Sequence, residues 1–126
     1  METESVQVAQ YQETTRLTDA ELVRQLISHL GPTLVAALAN VRDRKLPHKW
    51  AKPDGPTPRP EALHRLHAAY RAWLAVSGAE GESVARTWFI GANPRLGEES
   101  PIACLREGNV KSVLAAGRAF ADGLDD

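Results

Sequence analysis

Pro60-Glu61-Ala62-Leu63-His64-Arg65-Leu66-His67-Ala68-Ala69-Tyr70-Arg71-Ala72-Trp73-Leu74-Ala75-Val76-Ser77 decides the fold class. Leu63, Leu66, Tyr70, Trp73 and Leu74 fall at i, i+3, i+7, i+10 and i+11, the spacing of one apolar stripe on an α-helix. Pro60 suits the first turn, where the missing amide would have no partner anyway. The pattern predicts a helix from Pro60 to about Ser77, with Gly78 to Gly81 as a loop. Strand-like alternation is found nowhere in the chain, so the fold is expected to be all-α.

Working toward the N-terminus, Pro53-Asp54-Gly55-Pro56-Thr57-Pro58-Arg59-Pro60 holds four prolines and a glycine in eight residues. That composition makes a stiff, non-helical connector and the best boundary between two halves. Before it, Leu46 to Lys52 reads as a short helix carrying Trp50, with Pro47 near its start. Asn40 to Lys45 reads as a turn without a glycine. Pro32 to Asn40 is a small-residue helix, closed off from the preceding one by Gly31. Thr18-Asp19-Ala20-Glu21 is a capping box ahead of Leu22, Leu26, Ile27 and Leu30, a first amphipathic helix. Residues 1–16 lack helical periodicity and are polar, which predicts a mobile arm.

Working toward the C-terminus, Val84, Trp88, Phe89 and Ile90 lie on a helix of about Glu82 to Gly91. Asn93 to Gly97 is a loop. Ser100-Pro101 is an N-cap and first-turn proline, and Gly108 closes the helix they start. Asn109 is placed to cap a last helix from Val110 to about Gly123, with Val113, Leu114, Gly117, Phe120 and Ala121 turned inward. Seven helices follow from this reading.

The totals fit one small unit, or two sharing a core, within 126 residues. Hydrophobic residues at 43% and charged residues at 25% are ordinary globular usage. The single cysteine, Cys104, rules out an internal disulfide and a cysteine-built zinc site. No apolar run approaches the roughly 20 residues of a membrane span, and the start of the chain has neither the basic end nor the apolar core of a signal peptide. A soluble cytoplasmic protein is the expectation.

Net charge is −1, but the distribution is uneven. Between Arg42 and Arg65 seven Lys and Arg face three acids. Two short helices, a turn and a third helix with a basic face form a helix-turn-helix candidate. Its Arg42, Arg44, Lys45, His48, Lys49 and Lys52 would meet the phosphates and bases of operator DNA, with Trp50 anchoring from the inner side. A solvated basic turn in a helical domain accounts for the same residues.

The C-terminal half carries a more specific pattern. Trp88, then Asn93-Pro94, Leu96-Gly97, Ser100-Pro101 and Leu105-Arg106-Glu107-Gly108 resemble the toxin-binding domain of the Xre/MbcA/ParS antitoxin family, whose sequence reads roughly W-x-x-x-x-N-P-x-L-G-x-x-S-P-x-x-x-L-R-x-G before a last helix. The likeness covers about Val84 to Gly123, and the region from Leu30 to Trp73 looks like the helical DNA-binding-like part of these antitoxins. Pro47 departs from the family pattern. The resemblance implies a partner: a RES-domain toxin that consumes NAD⁺ and whose active-site cleft the antitoxin blocks. The contact residues it implies are Arg118, Phe120, Asp122, Leu124, Asp125 and Asp126. The acidic tail would take the place of phosphate in a basic cleft. It also implies a homo-oligomer or a hetero-oligomeric complex, and repression of the operon as a further role. The alternative is a helix-turn-helix regulator whose C-terminal half only dimerises.

The residues alone assemble no nucleophile, base and oxyanion donors, so no catalysis and no cofactor are expected. His64 and His67 are three apart on a helix but have no nearby ligand to complete a metal site, and Cys104 reads as a small buried hydrophobe. The division expected is an arm at 1–16, a helix-turn-helix-like region at 17–59 and a helical toxin-binding domain at 60–126.

Overall fold

The computed structural model describes residues 17–124. They form seven α-helices, one 3₁₀ turn and no strand, so the fold is all-α. The helices are α1 (Asp19–Leu30), α2 (Pro32–Leu38), α3 (Leu46–Trp50), α4 (Pro60–Glu80), α5 (Glu82–Ile90), α6 (Pro101–Arg106) and α7 (Val110–Ala121), with the 3₁₀ turn at Pro94–Leu96. No helix of the described residues is long and apolar enough to cross a membrane. The mobile arm expected at residues 1–16 lies outside the described residues.

Helix α4 is the axis of the molecule. It packs against α1, α2, α5, α6 and α7. The stripe read from the sequence is what it buries: Leu66, Tyr70 and Trp73 are buried, and Leu63 and Leu74 are half-buried against the same core. Small residues on its flanks (Ala62, Ala68, Ala69, Ala72) are buried too and let its neighbours approach closely. One hydrophobic cluster runs from Leu22, Val23 and Leu26 of α1 through α4 to Phe89, Leu105 and Val113. Removing any of these large side chains would cost about 2–5 kcal/mol.

Helix α4 continues three residues past Ser77, through Gly78, which was expected to open a loop. It stops at Gly81, whose amide donates to the Ser77 carbonyl at 2.8 Å. A helical glycine costs about 1 kcal/mol relative to alanine. Ala79 and Glu80 favour the helix, and Gly81 alone makes the reversal with φ +92°, so the four-residue loop shrinks to one residue. Just beyond it, His29 at the end of α1 stacks on Trp73 with ring centroids 4.5 Å apart, and its Nδ1 lies 3.3 Å from a Glu82 carboxylate oxygen at the start of α5.

Other ends differ in smaller ways. α2 stops at Leu38, two residues short of the expected Asn40, and α3 stops at Trp50, with Ala51 and Lys52 in a turn. Thr18 caps as expected, its hydroxyl accepting from the Glu21 amide at 3.1 Å. Asn109 stands at the start of α7 but its side chain makes no capping bond. Its ψ of 58° is outside the extended region a capping side chain uses. The Pro53–Arg59 connector is non-helical, as its composition predicts.

Candidate functional site

Two surfaces carry the residues singled out in the sequence. The first is built by the segment after α5. Asn93 precedes Pro94 and is driven to extended backbone, φ −125° and ψ 118°. Helix α5 has already ended at Gly91, whose backbone is extended, and the Asn93 side chain is turned inward, where only 6% of the residue is exposed. Its Oδ1 accepts from the Arg95 amide at 2.9 Å. Its carbonyl accepts from the amides of Leu96 and Glu98, both at 2.9 Å, and its own amide donates to the Glu99 carbonyl at 3.1 Å. Gly97 supplies the left-handed step at φ +64°. The Ser100 hydroxyl then accepts from the Ala103 amide at 3.1 Å and starts α6, with Pro101 buried behind it. Asn93, Pro94, Leu96, Gly97, Ser100 and Pro101 thus close a loop on itself. Leu96 plugs it into the core.

The rest of the motif ties this loop to other parts of the chain. Leu105 is fully buried, and its carbonyl accepts from Arg65 Nε of α4 at 2.9 Å. Gly108 lies beside that guanidinium; a Cβ there would stand 3.5 Å from Arg65 Nη2. Arg106 Nε donates to Asn40 Oδ1 at 3.3 Å, reaching the turn after α2. Trp88 lies over Gly117 of α7, and its ring centroids are 5.1 Å from Phe89 and 6.4 Å from Phe120. Trp88 is only 8% exposed, and its indole Nε1–H has no acceptor among the described residues. An unmatched buried donor costs about 1–3 kcal/mol.

Trp88 forms part of the wall of a shallow cleft of about 350 Å³ between α5 and α7. Val84, Thr87, Ala92, Asn93 and Phe120 complete most of that wall. The large hydrophobic side chains left exposed among the described residues are Val84, Ile90 and Leu124, the last two at 59% and 65%. Val84 lines the cleft and Ile90 ends its helix. Of the tail residues, Phe120 is half-buried at the cleft, and Arg118, Asp122 and Leu124 are exposed. Asp125 and Asp126 lie outside the described residues.

The second surface is the turn between α2 and α3. Asn40 takes the left-handed position, φ +62°, that a glycine would otherwise fill. The Lys45 amide donates to Asp43 Oδ1 at 2.8 Å, shaping the turn. Arg42, Arg44, Lys45, His48, Lys49 and Lys52 are all exposed, while Trp50 is buried beneath them. Helix α3 has five residues, so it presents little more than one turn to a groove.

No family model, no curated protein and no solved structure matches this chain. The two surfaces therefore stand on their own chemistry. Among the described residues no group of three or more His, Cys, Asp or Glu is placed to hold a metal ion. His64 is exposed; His67 is half-buried, and burial pushes its pKa below the ordinary 6.5, with His64 adding in the same direction and Asp19 opposing. Burial pushes the Cys104 thiol up from its ordinary value, and Glu107 and Glu99 add to this, which keeps it protonated and unreactive.

What sequence reasoning missed is the role of the α5 face. The sequence places Trp88 in the motif, but the adjoining cleft and the exposure of Val84 are visible only in the fold. The one available signal was Val84 and Ile90, both apolar on a nine-residue helix whose buried face is already filled by Ala85, Trp88 and Phe89.

Proposed function

We propose that this chain is an antitoxin: a non-enzymatic protein that binds a RES-domain, NAD⁺-consuming toxin and occludes its active site. The observation that carries the reading is the α5–α7 face. It offers an apolar cleft walled by Trp88 and Phe120, with the exposed Val84 on its rim. A rigid frame with aromatic anchors beside an exposed apolar side chain is the anatomy of a protein-binding hot spot. The resemblance of the Asn93-Pro94 to Gly108 segment supplies the kind of partner. In this reading Arg118, Phe120, Asp122, Leu124 and the terminal Asp125 and Asp126 complete the contact, the acidic tail lying against a basic nucleotide cleft. Removing Leu124 to Asp126 then weakens neutralisation, and full protection by the shortened chain would take the tail out of the contact.

The test is isolation of the tagged chain from its own cells at moderate salt, with mass spectrometry of what accompanies it. A RES-domain protein in stoichiometric amount is the expected result. Recovery of the chain without one would overturn the proposal.

A second reading has its own observation. Six basic or imidazole side chains, Arg42, Arg44 and Lys45 on the turn, His48 and Lys49 on α3 and Lys52 just after it, are all exposed. That favours contact with the phosphates of duplex DNA, whether as operon repression by the antitoxin or as the main role of a regulator that dimerises through its C-terminal half. Binding to the chain's own upstream DNA, falling steeply with salt, is the result this reading requires.

A further inference from the structure

A second cleft, of about 330 Å³, lies where the α2–α3 turn, the connector and the first turns of α4 meet. Trp50 and other apolar groups line it, and its polar lining includes Asn40, Arg59 and Arg65, with Glu61 as the acidic group present. Arg65 is held in place by its Nε bond to the Leu105 carbonyl at 2.9 Å. Asn40 is held in turn by Arg106 of α6, through Nε at 3.3 Å. Two guanidinium groups, Arg59 and Arg65, thus line one opening, and Arg106, 47 residues beyond Arg59 in the chain, reaches its wall through Asn40. The exposed Arg42, Arg44 and Lys45 leave the same turn that forms one wall.

We propose that this cleft seats a backbone phosphate of duplex DNA, and that Arg59 and Arg106 carry the nucleic-acid contact of the basic turn onto the C-terminal half. The inference rests on the second reading above. Guanidinium suits the task because its planar fork meets phosphate oxygens two at a time. Continuity with the exposed cations of the turn favours a polyanion over a lone phosphate ion, since successive phosphates of one strand meet successive cations. The five-residue α3 also needs such help: a helix of little more than one turn makes few contacts of its own, so additional phosphate contacts would have to hold the duplex.

The experiment is fluorescence anisotropy of the full chain with a labelled random-sequence duplex, measured across a salt series. Each phosphate contact contributes about 0.9 to the slope of log K against log salt. The R59Q/R106Q variant is expected to release the phosphate seated in the cleft, lowering the slope by about 0.9. Asn40→Gly keeps the left-handed turn and removes the acceptor for Arg106 while leaving the charge; its slope is expected to match the wild type. The R86Q/R118Q variant has the same net charge as R59Q/R106Q but loses exposed cations of α5 and α7, and its slope is expected to stay within about 0.5 of the wild type. An unchanged slope for R59Q/R106Q, beside a reduced slope for R44Q/K49Q, would overturn the cleft's role and leave the basic turn standing. An equal loss in R86Q/R118Q or in Asn40→Gly would also overturn it, as diffuse charge or as turn geometry. Absence of duplex binding by the wild type would overturn both. Inorganic phosphate that binds the wild type more tightly than R59Q/R106Q, with the duplex slope unchanged, would reassign the cleft to a free anion and overturn the duplex claim.

Discussion

Two turns led by asparagine show how differently this chain uses the same residue. At Asn93 the side chain is buried and its polar groups are consumed within seven residues: Oδ1 by Arg95, the carbonyl by Leu96 and Glu98, the amide by Glu99. At Asn40 the residue is exposed and left-handed, and its Oδ1 meets a side chain 66 residues away. The first turn is closed and apolar behind, so its neighbours Trp88, Val84 and Phe120 are presented as a fixed face. The second is open and surrounded by cations, held from outside by α6. A turn that satisfies itself makes a platform; a turn held by another element leaves its charges for a ligand.

The contrast predicts unequal sensitivity. The largest effect is at the residue that links the two turns: Leu105 is fully buried, its carbonyl holds Arg65, and its neighbour Arg106 holds Asn40. Leu105→Ala is expected to cost about 2–5 kcal/mol in chemical denaturation. A loss under 1 kcal/mol would mean that α6 is not the clamp described. Next comes Asn93→Ala, which strands the Arg95 amide in a closed loop and is expected to cost about 1–3 kcal/mol. Asn40→Gly, on the open turn, should change stability by under about 1 kcal/mol, because the left-handed backbone suits glycine and the lost bond is exposed.

Smaller still is the effect of pH through His67. Its folded pKa lies below the ordinary 6.5, so the unfolded chain takes the proton more readily. Stability is full above 6.5 and declines as the pH falls through and below that value. His67→Gln should flatten this decline in thermal melts between neutral and mildly acidic pH; an unchanged decline would point to another group. The smallest effect is chemical: Cys104, buried with its thiol pushed up, should react with a thiol reagent much more slowly than the unfolded chain at mildly alkaline pH.

Most of the fold was legible because its signals are local. The Leu66, Tyr70 and Trp73 stripe, the Thr18 and Ser100 caps, and the prolines at helix starts each act within a turn or two. Helix α4 outran its reading because Gly78 is an ordinary helical residue once α4 is held by packing, and a single Gly81 makes the turn. The site was less legible for the opposite reason. The bonds Arg65 to Leu105 and Arg106 to Asn40 span 40 and 66 residues, and no periodicity announces them. The unmatched indole of Trp88 is likewise a fact of three dimensions: the sequence gives an aromatic on a helix, and only the packed fold shows its N–H buried without an acceptor among the described residues.

The central claim is that the closed face, not the open turn, takes the protein partner. The direct measurement is the affinity of the co-isolated partner for three forms of the full chain: wild type, Val84→Asp on the α5–α7 face, and R44Q/K49Q on the basic turn. Val84 is exposed, so the aspartate does not enter the core. The account predicts at least about a tenfold loss for Val84→Asp, equivalent to 1.4 kcal/mol or more, and wild-type affinity for R44Q/K49Q. Undiminished binding by Val84→Asp, with loss confined to R44Q/K49Q, would contradict it.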